Sequence, residues 1–165
     1  IRRQRQMCIR DSYTARDAAH KRMLENLHKG IALPVDLKDQ TIYFAGPAPA
    51  KPNEPIGSVG PTTSYRMDAY SPETIELGLT CMIGKGARSK EVVDAMKKYG
   101  AVYIGAVGGA GALISQCVKK CEVVDYADLG SEAIHRLEVV DFPGIVIIDS
   151  EGNNLYETEP PKYKK

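Results

Sequence analysis

The chain has no tryptophan and only two phenylalanines, so its core has to be assembled from Val, Ile, Leu, Met and Tyr. It has no long apolar run. Phe142 to Ile148 is among the longest and falls far short of the roughly 20 residues a membrane-spanning helix needs. No basic-then-apolar stretch that reads as a signal peptide opens the sequence. The four cysteines, Cys8, Cys81, Cys117 and Cys121, therefore point to a reducing, cytoplasmic setting rather than a disulfide scaffold. Net charge is nearly absent as well: 22 Lys and Arg stand against 21 Asp and Glu, giving +1. Nothing in that balance favours nucleic acid, which calls for a basic face with interleaved aromatics. No internal repeat or long low-complexity tract appears.

What is present reads as one domain of 165 residues with 43% hydrophobic and 26% charged content, enough for a real core. Residues 1–12 carry four Arg and one Asp, or +3, leaving 18 basic against 20 acidic residues, or −2, for residues 13–165. This polar, Arg/Gln-rich start does not read as a strand. It is set apart as a non-native or disordered leader, so that Arg2, Arg3 and Arg5 carry no functional weight. Residues 13–157 form the domain, and residues 158–165 a loose tail.

Within the domain, Thr14 followed by Asp17 predicts a capping-box-like helix start, with Ala19, Met23, Leu24 and Leu27 at helical spacing and Gly30 as the stop. Thr41–Ala45 reads as a strand, Ser71-Pro72-Glu73 as a second helix start and Thr80–Ile83 as a buried strand. Ser89–Tyr99 reads as a helix stopped by Gly100, and Ala101–Ala106 as a strand. A further helix is expected from Gly108-Gly109-Ala110-Gly111 to about Lys120, with strands at Glu122–Asp125 and Gly144–Ile148. Helices alternating with short apolar strands predict a layered α/β domain.

The most informative stretch is Gly60-Pro61-Thr62-Thr63-Ser64-Tyr65-Arg66-Met67-Asp68, preceded by a proline-rich loop from Gly46 to Pro55. Proline fixes φ and glycine widens it, so the loop is shaped rather than floppy. Its hydroxyls and guanidinium suit a small carboxylate or phosphate, because arginine's planar fork matches such anions bidentately. The plain alternative is an Arg66–Asp68 surface pair beside a turn. Arg16 and His20, four apart, share a face of the first helix near its N-terminus, where exposed N–H groups can help receive an anion. Lys85 stands between two glycines just past a buried strand, where ligands of α/β sheets tend to bind; a lysine in a tight turn is the plain alternative. The glycines from Gly105 to Gly111 match neither a P-loop nor the dinucleotide fingerprint, and tight strand–helix packing accounts for them. Cys117 and Cys121, four apart at the predicted helix end, lack the second pair of ligands that structural zinc wants. Cys81, flanked by Leu79 and Met82, reads as core. No metal site is expected on this chain.

Four segments together resemble the class I, iron–sulfur-dependent fumarases, in the region equivalent to their C-terminal domain or separate β subunit. They are Thr14-Ala15-Arg16-Asp17-Ala18-Ala19-His20-Lys21-Arg22, the Gly60–Asp68 stretch, Met82-Ile83-Gly84-Lys85-Gly86, and Glu138-Val139-Val140-Asp141-Phe142-Pro143-Gly144. They stand in the family's order, and the resemblance runs from about Tyr13 to Tyr156. It implies a swivelling β/β/α domain acting as the β subunit of a hydro-lyase that reversibly hydrates fumarate to (S)-malate. Activity then requires an α subunit within a higher-order hetero-oligomer. That subunit holds a [4Fe-4S] cluster on three cysteines, and the cluster's open iron acts as a Lewis acid on the substrate. Carried over to this chain, Arg16, Arg66 and Lys85 contact the dicarboxylate. Thr62, four residues before Arg66, mediates proton transfer, with Thr63 as its neighbour in the substrate site. Arg16 counts with Thr62 among the catalytic residues. Tyr65 departs from the small residue or glycine frequent in relatives and puts the loop's fine geometry in question. The same plan serves L-tartrate dehydratase and mesaconate hydratase, although Glu138–Gly144 looks more fumarase-like. A non-catalytic anion-binding or assembly module is the remaining alternative.

Overall fold

The computed structural model describes residues 10–163; Cys8 and the arginines at positions 2, 3 and 5 lie outside them. Seven strands, β1 (Arg10–Thr14), β2 (Thr41–Tyr43), β3 (Cys81–Gly84), β4 (Val102–Gly105), β5 (Val118–Asp125), β6 (Ile134–Val139) and β7 (Ile145–Ile148), build one mixed sheet in the order β5-β6-β1-β2-β3-β4-β7. β1 to β4 run parallel to one another. β6 is antiparallel to β1, β5 to β6, and β7 to β4. Helices α1 (Asp17–His28), α2 (Ser71–Glu76), α3 (Lys90–Tyr99), α4 (Gly111–Ser115) and α5 (Leu155–Thr158) alternate with the strands. The result is the expected α/β layering.

The side-chain alternation of the parallel strands assigns the layers. Ile42, Phe44, Met82 and Tyr103 face one side, where Ala19 and Met23 of α1, Ile75 of α2, and Val92 and Met96 of α3 close over them. Their neighbours Tyr43, Ile83 and Ile104 face the other side, covered by Ile56 and Val59 just after the proline-rich loop, Ile114 of α4 and Phe142. Both faces of the parallel strands are thus buried, which is why they read as continuous apolar runs. Among the described residues, no helix is long and apolar enough to cross a membrane.

Glycines at the helix ends behave as the sequence predicts. Gly30 follows α1 and Gly100 follows α3, each at φ +77°, and Gly100 donates its N–H to Met96 O. Ser89 caps α3 by accepting from Val92 N.

Three readings are corrected. Residues 10–12, despite their polarity, belong to strand β1, which pairs with β6 along Arg10–Thr14 and with β2 at Tyr13 and Thr14. The antiparallel ladder to β6 outweighs local propensity at residues 10–12. The helix expected to reach Lys120 stops at Ser115, and Val118 already starts β5. Its partner β6, alternating in burial, escaped the sequence reading and supplies the ladder that converts this segment to strand. Thr14 does not cap α1: its hydroxyl lies 3.1 Å from His135 Nδ1 and 3.5 Å from Ala133 O, and Arg16 occupies the N-cap position without a side-chain cap bond. At the other end of the chain, residues Pro160–Tyr163 form a 3-10 turn.

Candidate functional site

Because β1 to β4 are parallel, their C-terminal ends lie along one edge of the sheet, the usual place for a ligand in α/β folds. Arg16 follows β1, the Gly46 loop follows β2, Lys85 follows β3 and Gly108 follows β4. The Thr62–Arg66 stretch is laid into this edge by backbone bonds. Thr62 N donates to Phe44 O at 2.7 Å, Ser64 N donates to Lys85 O at 2.9 Å, and Thr63 pairs with Lys85 in a parallel bridge. Residues brought in from four separate loops therefore meet at one place.

The two arginines share a carboxylate. Arg66 Nη2 donates to Asp17 Oδ2 at 2.7 Å, and Asp17 Oδ1 lies 3.7 Å from Arg16 Nη2. Arg16 Nη2 is also 3.2 Å from Glu132 Oε1. The Arg16 side chain runs over Gly46, where a Cβ would lie 3.1 Å from its Cδ and 2.7 Å from Ser131 O. A side chain at position 46 would push the guanidinium out of place. Arg16 Nε and Asp17 Oδ1 are buried without hydrogen-bond partners.

Lys85 is half-buried, and its side chain lies against Gly108, with Nζ 3.5 Å from where a Cβ there would sit. Among the described residues it has no ion-pair partner. Thr62 and Thr63 are both half-buried with no hydrogen-bond partner for either hydroxyl among the described residues, and the Thr63 methyl faces Gly86. The edge therefore offers a free ammonium, two guanidinium groups in a shared carboxylate network and two unengaged hydroxyls.

The Arg66–Asp68 surface pair is overturned. Asp68 belongs instead to Arg88, a guanidinium with no exposed side-chain surface. Arg88 Nε donates to Asp68 Oδ1 at 2.7 Å and Nη2 to Ser71 Oγ at 2.6 Å, while Ser89 N donates to Asp68 Oδ2 at 2.6 Å. The cation sits 5.1 Å from the centroids of both Phe44 and Tyr103. Burial pulls its pKa below the ordinary arginine value while Asp68 opposes that shift, and the group remains charged. This pair ties the 3-10 turn Ser64–Met67, which carries Arg66, to the segment after Lys85.

Tyr103 adds a second tie. Its hydroxyl donates to Gly86 O at 3.0 Å and lies 2.8 Å from Ser64 Oγ. A carbonyl only accepts, so the single Tyr103 proton goes to Gly86 and Ser64 must donate to Tyr103. Burial pushes the Tyr103 pKa up to about 12, so the proton stays. Gly84 makes room for this arrangement, since a Cβ there would collide with Ser64 Oγ.

His20 lies in the core rather than open to the site. It is fully buried, stacked with Tyr70 and edge-on to Phe44. Its Nδ1 is 2.8 Å from Arg16 O, so Nδ1 carries the proton and Nε2 is a bare, unpartnered acceptor. Burial holds its pKa down to about 4.

Arg88, Asp17, Glu132, Ser64 and Tyr103 escaped the reading of sequence as members of this site. Asp68 stood in the singled-out stretch, but no spacing rule connects it to a residue 20 positions on. Cys81 is in β3 and Cys121 in β5, while Cys117 precedes β5; no group of three or more His, Cys, Asp or Glu able to hold a metal ion occurs among the described residues.

The family model described as "Fumarase C-terminus" matches residues 5–159. The chain belongs to that family. It is 42% identical over 144 residues to the aerobic class I fumarate hydratase of Salmonella typhimurium, covering 86% of this chain and 25% of the relative. It is 44% identical over 149 residues to the mitochondrial fumarate hydratase 1 of Leishmania major, covering 87% and 26%. The chain thus spans about a quarter of the length of these curated fumarate hydratases. It is also 44% identical over 151 residues to a putative L(+)-tartrate dehydratase subunit beta of Methanocaldococcus jannaschii, covering 88% of this chain and 77% of that subunit.

Proposed function

We propose that this chain is the substrate-binding β region of an iron–sulfur hydro-lyase that interconverts fumarate and (S)-malate. The observation that carries the reading is the convergence of Arg16, Arg66 and Lys85, with Thr62 and Thr63, at the C-terminal ends of the parallel strands. Family membership supports it. A dicarboxylate needs two cationic receptors set apart, and the site offers an arginine pair and a lysine reached through different loops. The described residues hold no group that fits an iron–sulfur cluster, and in this proposal the cluster belongs to an α partner.

In the dehydration direction, the ionised Thr62 oxygen takes the proton from malate C3 as the C2–O bond breaks and hydroxide leaves. In hydration the Thr62 hydroxyl gives a proton to C3 as hydroxide adds at C2, so that one water is released or consumed overall. A threonine hydroxyl is too weak an acid to do this unaided, and neighbouring cations favour its ionised form. Arg16 and Arg66 receive one carboxylate and Lys85 the other, so that C3 faces the hydroxyl, and holding the reacting atoms in place is itself a large part of the rate.

A second reading, the β subunit of L-tartrate dehydratase, is favoured by one observation. The Methanocaldococcus relative is matched along most of its own length. The experiment that separates the two is co-expression with a cluster-bearing partner under anaerobic conditions, followed by assays on fumarate, malate and tartrate. Turnover of fumarate well above tartrate supports the first reading, and the reverse supports the second. A stoichiometric iron–sulfur chromophore on this chain purified alone would remove the two-subunit proposal.

A further inference from the structure

The first turn of α1 poses a problem that local sequence does not solve. Its N-cap is Arg16, whose side chain cannot accept a hydrogen bond, and Thr14 is engaged elsewhere. The missing acceptor comes from a residue more than a hundred positions away. Glu132 Oε2 accepts from Ala18 N at 3.1 Å, while Oε1 stands 3.2 Å from Arg16 Nη2. We propose that Glu132 is a positioning residue of the site: one carboxylate caps α1 and aims the Arg16 guanidinium at the substrate. The inference rests on Arg16 receiving a substrate carboxylate, as in the function proposed above.

Glu132 is well placed for this task. It ends the 3-10 segment Ala127–Glu132, in which Gly130 adopts φ +60° and ψ −118°, a conformation that favours glycine. Ala133 N then donates to Gly130 O, and Ala133 O lies 2.9 Å from His135 Nδ1. Just before it, Ser131 O lies against Gly46. The backbone that carries Glu132 is thus anchored on both sides within the connection between β5 and β6.

The guanidinium, in contrast, has little else to hold it. Arg16 Nε is buried without a partner, so its orientation depends on Nη2, shared between Glu132 at 3.2 Å and Asp17 at 3.7 Å. Asp17 is simultaneously the partner of Arg66 at 2.7 Å. Glu132 draws Arg16 away from Asp17 and so leaves Asp17 to Arg66. Without the Glu132 charge, Arg16 closes onto Asp17, competes with Arg66 for it and turns away from the ligand. Both arginines are then misaimed by one neutralised carboxylate.

Glu132→Gln separates the two tasks, because the amide oxygen still accepts from Ala18 N while the charge that attracts Arg16 is gone. In the assembled hydro-lyase, KM for its dicarboxylate should rise on the order of tenfold, a modest misplacement effect. The turnover number should change less than about threefold, and the melting temperature should stay near that of the parent. Glu132→Ala, which removes the cap too, should also lower the melting temperature. The full chain alone gives a readout independent of activity: nitrogen-15 resonances of the Arg16 guanidinium should show restricted Nη rotation that is lost in Glu132→Gln. Unchanged or lower KM in Glu132→Gln, or guanidinium rotation that the substitution leaves unaltered, overturns the proposal. If the parent assembly turns over no dicarboxylate, the functional reading fails, and the guanidinium measurement still decides whether Glu132 positions Arg16.

Discussion

Asp68→Asn is the sharpest perturbation of the scaffold beneath the site. The substitution keeps the side-chain size and removes one negative charge. It leaves Arg88, whose side chain has no exposed surface, between two aromatic rings without its counter-ion. Two short bonds to Asp68, from Arg88 Nε and Ser89 N, are weakened together. Breaking a buried pair by removing one partner costs about 3–5 kcal/mol, chiefly because a charge is stranded. For a chain of this size each kcal/mol shifts the melting temperature by about 2–4 °C, so a fall on the order of 6–20 °C is expected. Urea unfolding of the full chain gives the free energy directly. The double variant Asp68→Asn with Arg88→Met removes the stranded charge and should recover part of the loss, which the double-mutant cycle quantifies. A loss below about 1 kcal/mol for Asp68→Asn, or a double variant as unstable as the sum of the singles, refutes the argument.

Three further outcomes are expected. Arg66→Ala in the assembled enzyme should lower kcat/KM by two to three orders of magnitude, the scale of about 2–5 kcal/mol for losing a charged partner. Arg66→Lys should recover little, because a point charge lacks the fork; kinetics within a few-fold of the parent would make Arg66 a surface charge. Thr62→Val should lower kcat sharply with little change in substrate affinity, and Thr63→Val should be milder. If exchange of the malate C3 proton with solvent is abolished by Thr63→Val instead, the proton-transfer role lies one residue along. Stability should decline as pH falls from about 6.5 towards 4. His20 is held neutral in the folded chain at a pKa of about 4, so the unfolded chain binds the extra proton in that window and is favoured by acid. His135, also shifted down by burial, adds in the same direction. Unfolding curves across that range, with His20→Gln as comparison, should show a shallower pH slope in the variant.

The amino-acid pattern was a good guide to elements whose signals are local. Glycine stops after α1 and α3, the Ser89 cap and the apolar runs of β2, β3 and β4 all follow from neighbours within a few residues. Strand β1 was misread because its polar residues 10–12 are held by the distant strand β6, which no window over residues 10–14 contains. Strand β6 was missed and α4 overextended for the same reason. β5 and β6 define each other, and a segment with helical spacing becomes strand when a ladder is available.

For the site, sequence alone determined the chemical inventory: two arginines, a lysine between glycines and paired threonine hydroxyls, on loops that follow strands or open helices. The parallel order of β1 to β4 then turned four separate loops into one edge. Only the tertiary structure decided which carboxylate serves which cation. Asp68 is two residues from Arg66 yet pairs with Arg88, Asp17 reaches across to Arg66, and Glu132 arrives from the far end of the chain to hold Arg16. The physical reason is that charge pairing depends on distance and burial after folding. Separation along the chain limits those quantities only within a helix or a tight turn.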